Sequence, residues 1–202
     1  MARPAEKEKR RELAHRAVEV LQRVGLDLSM AELARELSIK RPTLLYHFPS
    51  LSHIVELALE ELLTEQMHFV LGQLTETEHA IDRLHVQLCA VHEFHRGREA
   101  RIVFLSQAIA ATSGERMAAI VGIGNRVFEA HRDAAADRIR AGVSAGHIVP
   151  CDADALVVLI RALTDGLLLQ RVMTGVDLKP AHEMLWNNLL APLKTTERDN
   201  SP

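Results

Sequence analysis

The stretch Ser29–Phe48, SMAELARELSIKRPTLLYHF, decides the fold. Two short helical patterns meet there around a brief turn. Leu28 and Leu33 bracket Ser29-x-x-Glu32, the spacing of a capping box with a hydrophobic staple. Met30, Leu33, Ala34 and Leu37 follow at spacings of three and four, which puts them on one helical face. Ser38-Ile39-Lys40 breaks that rhythm. Pro42 then presets φ for the first turn of a second helix, where its missing N–H is not needed. Leu44, Leu45 and Phe48 anchor this second helix, and Lys40, Arg41, Thr43, Tyr46 and His47 are left to face outward. This is a helix-turn-helix pattern, a unit that lays its second helix in the DNA major groove.

Residues 10–63 resemble the DNA-binding domain of the tetracycline-repressor (TetR) family of bacterial regulators. RELAHRAVEVLQRVG, Arg11 to Gly25, is similar to that family's first helix. Leu33 to Phe48 matches its Leu-Ala, turn, Thr-Leu, Tyr/His and aromatic pattern. Pro49-Ser50 followed by an apolar helix is similar to the start of its fourth helix, and Thr164-Asp165-Gly166-Leu167 resembles a late segment of one branch. The chain departs from the pattern at four places. Ser38 stands where the turn usually has glycine, so a side chain is expected at positive φ. Lys40 replaces a capping serine, Leu45 precedes rather than is the tyrosine, and Leu51 replaces a lysine.

The resemblance implies an all-α protein. A three-helix DNA-binding domain would precede a larger helical bundle for ligand binding and dimerisation. It implies a ligand-responsive transcriptional regulator, a repressor that binds a palindromic operator as a homodimer and is released by a small-molecule effector. No cofactor is implied. No GxSxG, P-loop, HExxH or dinucleotide fingerprint argues for an enzyme.

Composition agrees. Of 202 residues 48% are apolar and only 3% aromatic, and no β-branched run bounded by turn signals reads as a strand. No apolar stretch approaches the ~18 residues a membrane span needs. The charged N-terminus, MARPAEKEKRRE, is no secretion signal, so a reduced cytoplasmic setting is expected for Cys89 and Cys151. The net charge is −3, but residues 1–53 carry +3 and residues 54–202 carry −6. Charges beyond a Debye length of ~8 Å are screened, so the local balance governs DNA approach. Arg3, Lys7, Lys9, Arg10, Arg11 and Arg16 form either an arm along the phosphate backbone or a solvated end.

Periodicity and caps predict about nine helices. Their expected ranges are 6–24, 30–37, 41–47, 50–73, 78–95, 99–111, 114–145, 152–173 and 180–191. In the first, Leu13, Ala17, Val20, Leu21 and Val24 make the buried stripe. Thr75-x-x-Glu78 reads as a second capping box. The domains expected are 1–50 for DNA, 51–195 for ligand and dimer, and a polar tail 196–202. The helix at 152–173 is apolar almost all round, so it must be covered on every side. One side would face its own core and the other a partner chain. Leu156, Leu159, Leu163, Leu167 and Gln170 would then join Leu185, Trp186 and Leu189 in a two-fold interface.

The DNA-facing candidates are Ser29, Lys40, Arg41, Pro42, Thr43, Tyr46 and His47. Arg41 is suited to fork onto a guanine, and Tyr46 and His47 to reach phosphate or sugar. Ser29 would offer a helix N-terminus to another phosphate. Relatives bind their ligands within the larger domain. The polar residues stranded there in apolar helices are His92, Gln107, Asn125, His131, Thr164 and Asp165. Each is a candidate for orienting an effector or, more plainly, a satisfied buried group. His85, Cys89 and His92 share a helix face within about 60°. That donor set suits zinc or copper, which leaves a metal- or redox-responsive regulator as an alternative. A helical scaffold without DNA binding is another.

Overall fold

The computed structural model describes residues 4–25, 27–99, 104 and 115–195. Its helices are α1 (Pro4–Val24), α2 (Met30–Glu36), α3 (Arg41–His47), α4 (Leu51–Gln73), α5 (Ala80–Phe94), α6 (Glu115–Ser144), α7 (Ala153–Thr174) and α8 (Lys179–Leu185). The helix expected over 99–111 falls almost wholly outside the described residues. Extended pairing among those described is limited to one isolated bridge, Ile148 with Lys194. No described helix is long and apolar enough to cross a membrane. Contacts group the chain into two units, Met1–Glu65 with Arg98–Val127 and Gln66–Gly97 with Phe128–Pro202. The boundary expected at residue 50 coincides with the start of α4, whereas this grouping divides α4 at residue 65.

In the first unit, α1 buries Leu13, Ala14, Ala17 and Leu21. Val24, expected in that stripe, is 50% exposed because the helix ends there and Gly25 takes φ 112. Leu33, Ala34 and Leu37 of α2 are buried, as are Leu44 of α3, Phe48, and Ile54, Ala58 and Leu62 of α4. Polar ties surround this core. Both Arg11 (2.9 Å) and His15 (3.0 Å) reach Glu61 across α1 and α4. Arg16 donates to the Leu37 carbonyl at 2.9 Å.

The turn after α2 is a Schellman motif. Ile39 N–H donates to the Ala34 carbonyl and Ser38 N–H to that of Arg35. The motif needs a left-handed residue, and Ser38 supplies it at φ 57. A Cβ in that conformation costs about 1–2 kcal/mol.

In the second unit, Ile81, Leu84 and Leu88 of α5 pack with Ile139 of α6, Leu156 and Ile160 of α7, and Leu190. Helix α7 starts on Asp152, whose carboxylate accepts from Ala155 N–H, and stops at Gly175 with φ 69. The capping box expected at Thr75 does not form. The Thr75 hydroxyl donates back to the Gly72 carbonyl, and α5 starts later, on His79, whose ring accepts from Ile81 N–H. The last expected helix changes pitch: α8 ends at Leu185, a π turn covers Trp186–Leu190 and a 3₁₀ turn covers Ala191–Leu193. Pro192 cannot donate the next helical bond, which accounts for the stop.

Replacing Ser38 by glycine removes the left-handed penalty but adds about 0.5–1 kcal/mol of chain entropy to the unfolded state. The expected net is a gain of about 0.5–1 kcal/mol, read as a higher urea midpoint at constant slope. Ser38→Val should lower the midpoint, since a β-branched residue tolerates positive φ least.

Candidate nucleic-acid interface and effector residues

Helix α3 presents its N-terminal end through what its buried residues leave free. Leu44 and Phe48 are wholly buried, which orients the helix. Lys40, Arg41, Pro42 and Thr43 are all exposed, and Tyr46 is 73% exposed. Lys40 is the N-cap without a side-chain cap bond, and Pro42 lies in the first turn. Four consecutive side chains, two of them cationic, thus project from one helix end. His47 is half-buried, with its ring edge-on to Tyr46 at 5.0 Å.

Two hydrogen-bonded details bear on how this face could meet a phosphate. The Ser29 capping box is complete: Glu32 N–H donates to the Ser29 hydroxyl, and Ser29 N–H donates to Glu32. Hydrogen bonds from Ser29 hold the Glu32 carboxyl below its usual range. Ser29's own N–H is therefore already used, and a phosphate there would have to displace Glu32. Second, the Tyr46 hydroxyl donates to Glu6 at 2.6 Å. This bond raises the phenol's pKa and ties the start of α1 to α3. Glu6 thus puts a negative charge beside Pro42, Thr43 and Tyr46, and nothing in a linear reading links positions 40 apart.

The basic N-terminal residues divide. Arg11 and Arg16 hold the fold, and the Arg10 guanidinium lies over the Phe48 ring at 5.2 Å. Lys7 and Lys9 are exposed, and Arg3 lies outside the described residues.

With this geometry in view, likeness becomes informative. The family model "Bacterial regulatory proteins, tetR family" matches residues 13–57. Residues 13–57 thus carry a TetR-family N-terminal domain. No curated protein matches its sequence. Solved structures of the same fold include a TetR family transcriptional regulator from Thermus thermophilus. It is 17% identical, with TM-score 0.65, covering 88% of this chain and 95% of that one. The ketosteroid transcriptional regulator of Mycobacterium tuberculosis is 20% identical, with TM-score 0.62 and coverages of 93% and 96%. The fatty acid degradation regulator of Bacillus halodurans is 16% identical, with TM-score 0.67 and coverages of 88% and 98%. Most of this chain therefore shares its helical fold with these solved structures.

In the second unit the effector candidates separate. His92 is 1% exposed, with both ring nitrogens engaged. Its Nε2 donates to the Thr164 carbonyl at 2.8 Å, so the neutral ring accepts at Nδ1 from His182 Nε2 at 2.7 Å. The two imidazoles stack, 4° from parallel. Thr164 is buried and bonds its hydroxyl to the Ile160 carbonyl. Asp165 is exposed and paired with Arg161 at 2.8 Å. Gln107 and the Asn125 side chain lie outside the described residues. Of the candidates described, only the His131 ring keeps a buried nitrogen, Nδ1, without a partner.

The metal alternative loses its third ligand. His85 Nε2 and Cys89 Sγ are 3.6 Å apart, but His92 is committed to Thr164 and His182. Among the described residues no group of three His, Cys, Asp or Glu is arranged to hold an ion. Burial pushes the Cys89 thiol up, away from a reactive thiolate.

The dimer candidates also divide. Leu156 and Leu185 are 7% and 8% exposed, inside their own protomer, so they cannot also meet a partner. Leu163, Trp186 and Leu189 pack partly on the same core. Leu159 is 44% exposed, Gln170 is exposed and Leu167 is half-buried. The exposed apolar side chains of α7 missing from that set are Val158, Leu169 and Met173, at 65%, 54% and 71%.

Two outcomes are expected. Glu6→Gln should tighten DNA binding several-fold at low salt and less at high salt, because one charge repelling phosphate is removed; an unchanged affinity in fluorescence anisotropy would place Glu6 off the DNA. The second concerns His182, whose pKa burial and neighbouring His92 lower to about 4. The folded state then binds fewer protons than the unfolded state between pH 6.5 and about 4. That stability is fully present above pH 6.5 and is lost as pH falls through this window. Melting temperatures of the wild type should therefore drop across it more steeply than those of His182→Gln.

Proposed function

We propose that this chain is a ligand-responsive, DNA-binding transcriptional repressor acting as a homodimer on a palindromic operator. The observation that carries the reading is the outward projection of Lys40, Arg41, Pro42 and Thr43 from the start of an α3 anchored by its buried side. Arg41 has the donor geometry to read a guanine edge, and the Thr43 methyl suits a thymine methyl. Tyr46 and His47 lie further along α3, where phosphate contacts set register. With DNA as its target, the protein works in the cytoplasm.

A palindrome needs two reading heads about 34–36 Å apart. The stripe Val158, Leu159, Leu169 and Met173 supports pairing of α7 with its copy, since an apolar row of this kind is costly to leave in water. Helix α4 belongs to both units, so repacking around its last turns by an effector is felt along one continuous helix. A coupling of ~1–3 kcal/mol changes operator affinity about 5–150-fold.

The direct test is binding of the full chain to inverted repeats in the DNA flanking its gene, against scrambled DNA, over a salt series. Specific binding with a steep salt slope is expected; none at any salt would leave a helical scaffold. Arg41→Ala should cost ~1–3 kcal/mol and relax preference at one base position. Equal loss on all sequences would make Arg41 a phosphate contact. Leu169→Arg with Met173→Glu should yield monomers in sedimentation and cost half-site cooperativity.

A further inference from the structure

The second unit holds a partly open cavity of about 90 Å³ lined by the last turns of α4 and by α5, α6 and α7. One water needs about 10–15 Å³ of such space, so it takes about six to nine small groups, and a longer chain would end at its open side. Val70, Leu74, Leu84 and Val91 supply its apolar wall. Its charged lining among the described residues is all basic: Arg83, Arg138 and Arg161 stand there beside the His131 ring, and no described Asp or Glu does.

These cations are not neutralised alike. Arg161 pairs with Asp165 and lies over the Phe128 ring at 5.1 Å. Arg83 is held by two carbonyls, those of Leu74 (2.9 Å) and Thr77 (2.6 Å). Arg138 donates to the Ala134 carbonyl of its own helix. Among the described residues neither Arg83 nor Arg138 has a carboxylate partner. Burial, then the nearby charge of Arg138, lowers the Arg83 pKa, so the two guanidinium groups repel each other across the cavity wall. Beside them, His131 Nδ1 is buried without a partner. A buried, unmet polar atom such as His131 Nδ1 is costly, whereas Arg83 is half-buried and Arg138 exposed, so both guanidinium groups remain open to a partner. An anion that accepts from all three would meet the His131 nitrogen and offset the repulsion between the two arginines.

We propose that this cavity binds a carboxylate with a short apolar tail: the carboxylate on Arg83 and Arg138 with a hydrogen bond from His131, the tail along Val70, Leu74, Leu84 and Val91. A guanidinium fork matches a carboxylate bidentately, and charge-assisted bonds are about twice as strong as neutral ones. The assignment rests on the effector-responsive reading above and names its ligand class. It excludes cations and ranks neutral isosteres far below acids.

The test titrates the full-length protein with octanoate, octan-1-ol and octylamine by calorimetry and thermal shift. Octanoate is expected to bind saturably and raise the melting temperature. The alcohol should bind at least about tenfold more weakly and the amine not at all. Arg138→Gln should weaken octanoate about tenfold, and Arg138→Lys should restore part of it. The proposal is overturned if alcohol and acid bind alike, if Arg138→Gln binds octanoate as the wild type does, or if no saturable binding occurs. Should the variants fail to fold, the acid–alcohol contrast on the wild type still decides. Operator binding is measured separately: DNA binding without octanoate binding sinks this inference alone, and octanoate binding without DNA binding sinks the regulator reading alone.

Discussion

The first unit depends on a turn that holds a serine in left-handed conformation. Ser38 at φ 57 lets Ile39 and Ser38 cap the end of α2, so α3 can begin three residues later. The strain is outweighed by the core on both sides of it. Leu33, Ala34 and Leu37 lie before the turn, Leu44 and Phe48 after it, and all are buried. Fully burying one large apolar side chain contributes about 1.5–3 kcal/mol, more than the turn costs. Because that apolar side is so completely used, Lys40, Arg41, Pro42 and Thr43 at the start of α3 are left facing solvent.

The second unit has a different organising element. Helix α7 carries two apolar rows. Leu156, Ile160 and Leu168 enter the protomer core, while Val158, Leu169 and Met173 stay in water. Between these rows Thr164 accepts from His92, whose other nitrogen meets His182. Arg171 adds a bond to the His92 carbonyl at 2.8 Å. One imidazole therefore ties α5 to α7 and α8. Its histidine chemistry is used for cohesion, with both ring nitrogens bonded within the protein.

Local signals proved readable where the physics is local. The Ser29 cap, the proline start of α3, the serine at positive φ, the Asp152 cap and the Gly175 stop each depend on a few adjacent residues. The Thr75 box failed because a capping pattern says what a side chain can do, not what competes for it. Here the Gly72 carbonyl won the hydroxyl. Likewise, Leu156 and Leu159 look alike on a helix that is apolar all round. Only packing separates the buried one from the exposed one.

From the sequence alone came the helical class, the helix-turn-helix, its outward cationic end and the TetR resemblance, because capping and periodicity act over one or two turns. The tertiary structure decided which polar residues have partners. It joined Tyr46 to Glu6, His92 to His182, and Arg83 to Arg138 and His131 around one cavity. Most of those neighbours are tens of residues apart, and no periodicity brings them together: only the packing of helices places one charge beside another and leaves a buried ring nitrogen without a mate.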